Sequence, residues 1–262
     1  MRPKPPHSIL VEEVASHVRS YCRGELDRAA INRLVKTAPN KFAGIKEYFD
    51  PANVVGAQAT IKARRTNVCG EFVDTDSYSA SAALVGVAYD TIGFREHNAA
   101  WALSGITTVR FDGEDFTQMI ALSEMYGSDN PVHQIWDADY LTEGEIYWFV
   151  TEQGYGPGVW RSFIDGEQIG NSLHPSNAFW TALAGDNARF FGEIFHFECD
   201  MPGTPPYPCT FGGCRYKIGT EWHSTELQTG DTVLMNDNSS EWFVIVVDED
   251  SLEIGDLDTL QL

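Results

Sequence analysis

The sequence predicts a mainly β protein: an antiparallel sandwich or barrel-like body preceded by a short N-terminal helical module. Three observations carry that expectation. Short β-branched or aromatic runs recur after residue 52, and Gly, Asn, Asp and Pro clusters separate them. Before residue 50 the apolar spacing is helical instead. The composition agrees: 262 residues, 43% hydrophobic and 21% charged, describe a globular chain with an ample core, and 12% aromatics with 23 glycines suit strands and turns.

In chain order, residues 8–22 place Val11, Val14, Val18, Tyr21 and Cys22 on one helical stripe, with Ser8 as cap and Gly24 as terminator. Residues 25–38 form a second amphipathic helix through Leu26, Ala30, Leu34 and Val35, which Pro39 stops. Asn40 caps a third over 41–49, with Phe42, Ile45 and Phe49 inward. Helices this short need a surface to pack on, so residues 1–50 read as an anchoring module.

The strand expectations follow over 54–62, 68–73, 82–89, 106–111, 145–150, 159–164, 189–197, 232–235 and 242–247. Residues 116–125 and 177–184 read as helices embedded among them. Residues 200–214, rich in Pro and Gly, read as a long loop near a boundary. The expected division is a basic helical module over 1–50, a main β domain over 51–198 and a loop-and-hairpin region over 199–262.

Charge is unevenly spread over a chain whose net charge is −20. Residues 1–65 carry 12 Lys and Arg against six Asp and Glu, a net +6, whereas residues 66–262 carry six against 32, a net −26. The acidic part repels nucleic acid and anionic lipid, which leaves only residues 1–65 as a nucleic-acid footprint. The basic part suits an acidic partner, including another copy of the chain. No apolar run of 18 residues exists and the first seven residues lack an apolar stretch, so neither a membrane span nor a secretory leader is expected.

The candidate chemistry is sparse. His196, Cys199, Cys209, Cys214 and His223 are the residue types that bind zinc, although their spacing lacks a close Cys pair on each side. Buried thiols or a disulfide explain the same cysteines. Clustered acids at 74–76, 112–115, 137–139 and 248–250 match no calcium loop. There is no GxSxG, HExxH or GxxxxGK[ST]. Trp136, Trp148, Trp160 and Trp180 are the candidates for a sugar-stacking platform, because ring faces and indole N–H groups suit such ligands. Core packing is the competing use of those rings. No cofactor is expected.

One stretch carries a resemblance. Leu227-Gln-Thr-Gly230-Asp231-Thr-Val-Leu-Met-Asn236, continuing through Trp242-Phe-Val, is similar to a phrase of phage tail-fibre and other virion-appendage proteins. Physically it reads as a hairpin in which Val233 and Met235 share a face, Asn236–Ser240 turn, and Trp242 pairs across. Leu141–Val150, followed by a Gly-rich turn and Trp160, echoes it. The resemblance covers about twenty residues clearly and brings no catalytic residues.

It implies a virion structural role. Since the chain lacks heptads and shaft repeats, a collar, connector or capsid-attached protein fits as well as a tail fibre. The expected partners are other virion proteins and copies of itself, with no membrane, and the expected location is the virion. The leading expectation is therefore a non-enzymatic virion protein that docks through its basic helices. A carbohydrate- or receptor-binding β-sandwich, reading a host-surface glycan, is the alternative. A metal-dependent hydrolase is the second alternative.

Overall fold

The computed structural model describes residues 41–49, 52–66, 79–89, 100–110, 118–126, 132–135, 141–155, 159–170, 172, 184–194, 201–204, 206–228, 232–235 and 242–256. Every regular element among them is a strand, numbered here β1–β16 along the chain. One sheet has seven strands in the spatial order β14 (Thr232–Met235), β1 (Lys41–Tyr48), β10 (Asn187–Ile194), β3 (Ser79–Tyr89), β4 (Ala100–Arg110), β5 (Gln118–Tyr126) and β6 (Val132–Ile135). The other runs β15 (Trp242–Asp248), β16 (Ser251–Asp256), β12 (Tyr207–Ile218), β2 (Val54–Lys62), β7 (Ile146–Gln153), β8 (Trp160–Ile164) and β9 (Glu167–Gln168). Two short strands, β11 (Gly203–Thr204) and β13 (Glu221–Ser224), also pair with β12 and bring this sheet to nine. All of the strand pairings are antiparallel.

The two sheets face each other across one hydrophobic core. Alternate side chains of β2 (Ala57, Ala59, Ile61), β7 (Tyr147, Phe149) and β8 (Trp160, Ile164) meet those of β3 (Ala83, Val85, Val87), β4 (Ala102, Ile106) and β10 (Ala188, Phe190). This is the period-two pattern of a sandwich with one inner face per sheet. A hydroxyl cluster crosses the layer: Thr151 Oγ1 donates to Ser104 Oγ at 2.7 Å and Ser123 Oγ to Ser162 Oγ at 2.8 Å. Each buried hydroxyl thereby finds a partner in the opposite sheet, which offsets its desolvation and fixes how the sheets align.

Several sequence expectations change here. The third helix, 41–49, is the strand β1, paired with β10 and β14. Gly44 decides it, because its backbone lies so close to Phe190 and Phe191 that no side chain fits there. The helix over 116–125 is replaced by β5, which is paired on both sides and buried on both faces at Met119, Ile120, Ala121 and Leu122. A run buried on both faces lacks the alternation that marks a half-exposed strand.

The 200–214 loop contains most of β12, a central strand that absorbs its glycines in a register shift between Gly212 and Arg215. Gly213 has φ +58°, the left-handed conformation a bulge of this kind uses. Strands β1, β12 and β14 carry residues from outside 51–198 into both sheets, so the expected boundaries at 50 and 198 do not divide them.

The hairpin read into Leu227–Val244 is not formed. β14 joins the seven-stranded sheet beside β1, whereas β15 joins the other sheet, where Trp242 pairs with Asp256. The intervening residues therefore connect sheets, not neighbouring strands. Its echo is a true hairpin: β7 and β8 pair from Gln153↔Trp160 to Phe149↔Ile164. The helices expected over 8–22 and 25–38, the strand over 68–73, and all of the helix over 177–184 but its last residue lie outside the described residues.

Candidate functional site

The outer face of the nine-stranded sheet gathers side chains that are distant in sequence. Register places Trp222 (β13), Lys217 (β12), Gly56 (β2), Glu152 (β7) and Arg161 (β8) in one row across five strands. Gly56 has no side chain, so Lys217 reaches over β2 and its Nζ donates to Glu152 Oε2 at 2.6 Å. From the other side Arg161 Nη2 donates to Glu152 Oε1 at 2.8 Å. A Cβ on Gly56 would come within 3.1–3.2 Å of Lys217 Cβ, Glu152 Cβ and the Thr151 carbonyl.

Rings flank both cations. Lys217 Nζ lies 5.4 Å from the Trp222 ring centroid, and the Arg161 guanidinium lies 5.2 Å from Tyr155 and 5.3 Å from Phe163. These are cation–π distances.

Trp148 stands two rows away on the same face, opposite Thr60, and is 41% exposed. Its backbone is clamped: its N–H donates to Asp165 Oδ1 at 2.9 Å, and its carbonyl accepts from the Asp165 N–H at 2.8 Å. Asp165-Gly166, with φ of 50° and 84°, is the two-residue turn between β8 and β9. Both residues adopt the left-handed conformation that the I′ hairpin turn demands, and Asp-Gly is a sequence suited to it. On the other side of the sheet, Gly219, with φ +58°, opens the two-residue turn that brings Trp222 back opposite Lys217. An exposed indole on a fixed backbone offers a ring face at little entropic cost.

The four strands β12, β2, β7 and β8 point Lys62, Arg161, Arg215 and Lys217 to this face and only one carboxylate, Glu152. Asp250 lies near Arg215. The remaining side chains on these strands include Gln58, Thr60 and Phe163, a mixture of hydrogen-bonding and ring groups.

The structure separates the residues singled out from sequence. Of the four tryptophans, Trp148 is on this face, whereas Trp160 is 1% exposed and belongs to the core. Its ring has no surface to offer a sugar, which corrects its candidacy. Trp136 and Trp180 lie outside the described residues, as do His196 and Cys199.

Cys209 and Cys214 are buried, unbridged thiols. They sit five positions apart on β12, about 15 Å at strand rise, whereas two thiolates on one zinc ion lie within about 5 Å of each other. Burial pushes the Cys209 thiol up to about 12, against a lowering by Arg64. Burial also raises Cys214, reinforced by Asp250, Asp248 and Glu47. His223 stacks on Tyr216 at 5.3 Å. Among the described residues no group of three metal-ligating side chains forms, so these three residues do not assemble the zinc set.

Sequence reasoning missed Trp222, Lys217, Glu152 and Arg161. The readable signal was local: Lys217 and Trp222 flank Gly219-Thr220, the sequence of a tight hairpin turn.

No protein-family model and no curated protein matches the chain. Among solved structures it is similar to a glycoside hydrolase family 16 endo-glucanase from Bacteroides ovatus, at 12% identity and TM-score 0.34, over 59% of this chain and 65% of that one. It is also similar to a β-porphyranase of the human gut bacterium Bacteroides plebeius, at 10% identity and TM-score 0.21, over 59% and 63%. The chain thus spans less than two thirds of either protein. The expectation of a non-enzymatic protein is corrected here and dropped, because both similar structures are named as enzymes. TM-scores this low carry no argument for a particular activity in this chain.

Proposed function

We propose that the protein is a carbohydrate-binding β-sandwich that holds its ligand against the outer face of the nine-stranded sheet. The single observation carrying the reading is Trp148, a large ring left exposed on a backbone clamped by the Asp165 turn. Trp222 and Tyr155 extend the platform, and Gln58 and Thr60 supply hydrogen-bonding groups between the rings. From strand spacing and rise, Trp148 and Trp222 stand roughly 20 Å apart, a span suited to an oligosaccharide.

A glycan array followed by titration calorimetry tests the reading. Trp148→Ala should weaken the best ligand at least about tenfold, the worth of one well-packed ring, while its melting curve stays that of the parent. Binding unchanged in that variant contradicts the reading.

A different observation supports a second reading, a structural component of a bacteriophage-like virion that contacts copies of itself and other virion proteins. β15 is the outermost of the described strands in its sheet and exposes Ile245 (50%) and Val247 (55%). An apolar edge of this kind is a template for pairing with another chain. Sedimentation at low and moderate salt tests it. A closed oligomer that Ile245→Lys dissociates favours the reading, and a monomer throughout removes it.

A further inference from the structure

We infer that the ligand of the outer face is an acidic oligosaccharide, with carboxylate or sulfate groups carried on its rings. The inference rests on the carbohydrate reading and adds the charge of the ligand.

Its basis is a local reversal of charge. Residues 66–262 hold only six Lys and Arg against 32 acids, yet three of the six, Arg161, Arg215 and Lys217, stand on this one face. Lys62 joins them from β2. The four neighbouring strands thus carry four cations and one carboxylate, with Asp165 beside Trp148, Asp250 near Arg215 and Glu253 opposite Thr210 at their border. Glu152 bonds Lys217 and Arg161 at once, so one negative charge is shared between two positive ones and the row keeps an excess of positive charge.

The cations also sit beside rings. Lys217 lies by Trp222 and Arg161 by Tyr155, while Lys62 is the diagonal neighbour of Trp148 across the β2–β7 pair. A sugar ring stacked on an indole or phenol carries its substituents outward at the ring edge. A cation beside each stacking surface is where a carboxylate or sulfate on that edge would find a charge-assisted partner. A neutral sugar would offer these cations hydroxyl oxygens alone, without the charge that strengthens the bond.

Single-stranded nucleic acid also combines rings with negative charge. It carries a phosphate on every unit, however, and its affinity depends on many cations in a continuous groove. Here four cations lie in a chain of net charge −20, whose surrounding field repels a dense polyanion and tolerates a sparsely charged one.

The test uses the full chain and matched probes. Oligogalacturonate is compared with the same oligomer after carboxyl reduction, a carrageenan oligomer with its desulfated form, and a dT oligonucleotide of similar length is included. At least one acidic glycan should bind about tenfold or more tighter than its neutral counterpart at about 0.1 M salt, and the gap should shrink as salt rises. Lys217→Gln combined with Arg161→Gln should bring the acidic-to-neutral ratio close to one. Both substitutions fall on the outer face, and the salt series on the parent protein tests the charge independently of the variants.

Equal binding of acidic and neutral forms overturns this inference and leaves the carbohydrate reading standing. Preference for the oligonucleotide overturns it in favour of a nucleic-acid ligand. Failure to bind any glycan, here and on a wide array, overturns both.

Discussion

The outer faces of the two sheets are built from the same strand geometry and put to opposite uses. On the seven-stranded sheet, the side chains pointing away from the sandwich core include Leu84, Leu103, Ile120, Leu122 and Phe191, and all are buried. On the nine-stranded sheet the corresponding positions hold Ile146 and Trp148, both exposed, with Lys217, Glu152 and Arg161 beside them. The seven-stranded sheet is therefore buried on both faces, with Lys46, Glu124, Arg189 and Glu193 set among the apolar side chains of its outer one. The other alternates apolar inside and polar or aromatic outside. Recognition chemistry belongs on the second face, since its groups reach solvent without unfolding anything.

The sharpest way to break the contrast is substitution of matched positions. Leu103→Ala on the seven-stranded sheet should cost about 2–5 kcal/mol in denaturant unfolding, because it empties a buried site. Ile146→Ala should stay within about 1 kcal/mol, as its side chain is already largely in water. Similar costs at the two sites would erase the distinction.

Two glycines sharpen it further. A Cβ on Gly105 would lie 2.0 Å from the Ala83 carbonyl oxygen, inside hard contact with backbone. Gly105→Ala should lower stability by about 3 kcal/mol or more, the scale of a severe packing clash. Gly56→Ala meets Lys217 Cβ, Glu152 Cβ and the Thr151 carbonyl at 3.1–3.2 Å, so the flanking strands must yield by a few tenths of an ångström, and it should cost about 1 kcal/mol. Its larger effect should be on ligand binding, because it lifts Lys217 away from Glu152.

A pH series probes the interior between the faces. Folding raises the Cys209 thiol from 9.0 to about 12, so the folded state holds that proton more tightly than the unfolded chain does. The resulting stability is fully present below pH 9.0 and is lost as pH rises toward about 12. Unfolding followed across that window should show the decline, and Cys209→Ala should lessen it, leaving the part that the raised Cys214 thiol supplies. The folded protein should also resist alkylation at Cys209 and Cys214 near pH 8, since neither is a thiolate there.

The smallest expected effect is that of Glu152→Gln on stability. Its two ion pairs are partly solvated, and pairs of this kind contribute about 0–1 kcal/mol each. The same change should strengthen binding of an acidic glycan, because it releases Lys217 and Arg161 to the ligand.

Much of the β body was legible because its strands alternate or are bounded by turn residues, as at Val54–Lys62 and Trp160–Ile164. The failures share a physical cause. Phe42, Ile45 and Phe49 have helical spacing, but close approach to β10 at Gly44 decides the conformation of that segment. The strand Gln118–Tyr126 is apolar on both faces, and its Met, Ala, Leu and Glu residues favour a helix when read alone. Gly212 and Gly213 look like loop residues, but they form a bulge inside a central strand.

The site was less readable than the fold. Exposed Trp148 could be named, but nothing local distinguished it from Trp160 in the core. The row joining Gly56, Glu152, Arg161 and Lys217 exists only through strand register, which single-sequence periodicity does not supply.

The most direct test of the central claim is a titration of isotope-labelled protein with its best array ligand, followed by NMR. The indole N–H signals of Trp148 and Trp222 and the backbone amides of Gly56 and Glu152 should shift together and saturate at one affinity. Leu103 and Ile120 on the other sheet should stay in place. Shifts confined to the seven-stranded face, to the β15 edge, or to none of these residues would contradict a ligand on the nine-stranded sheet.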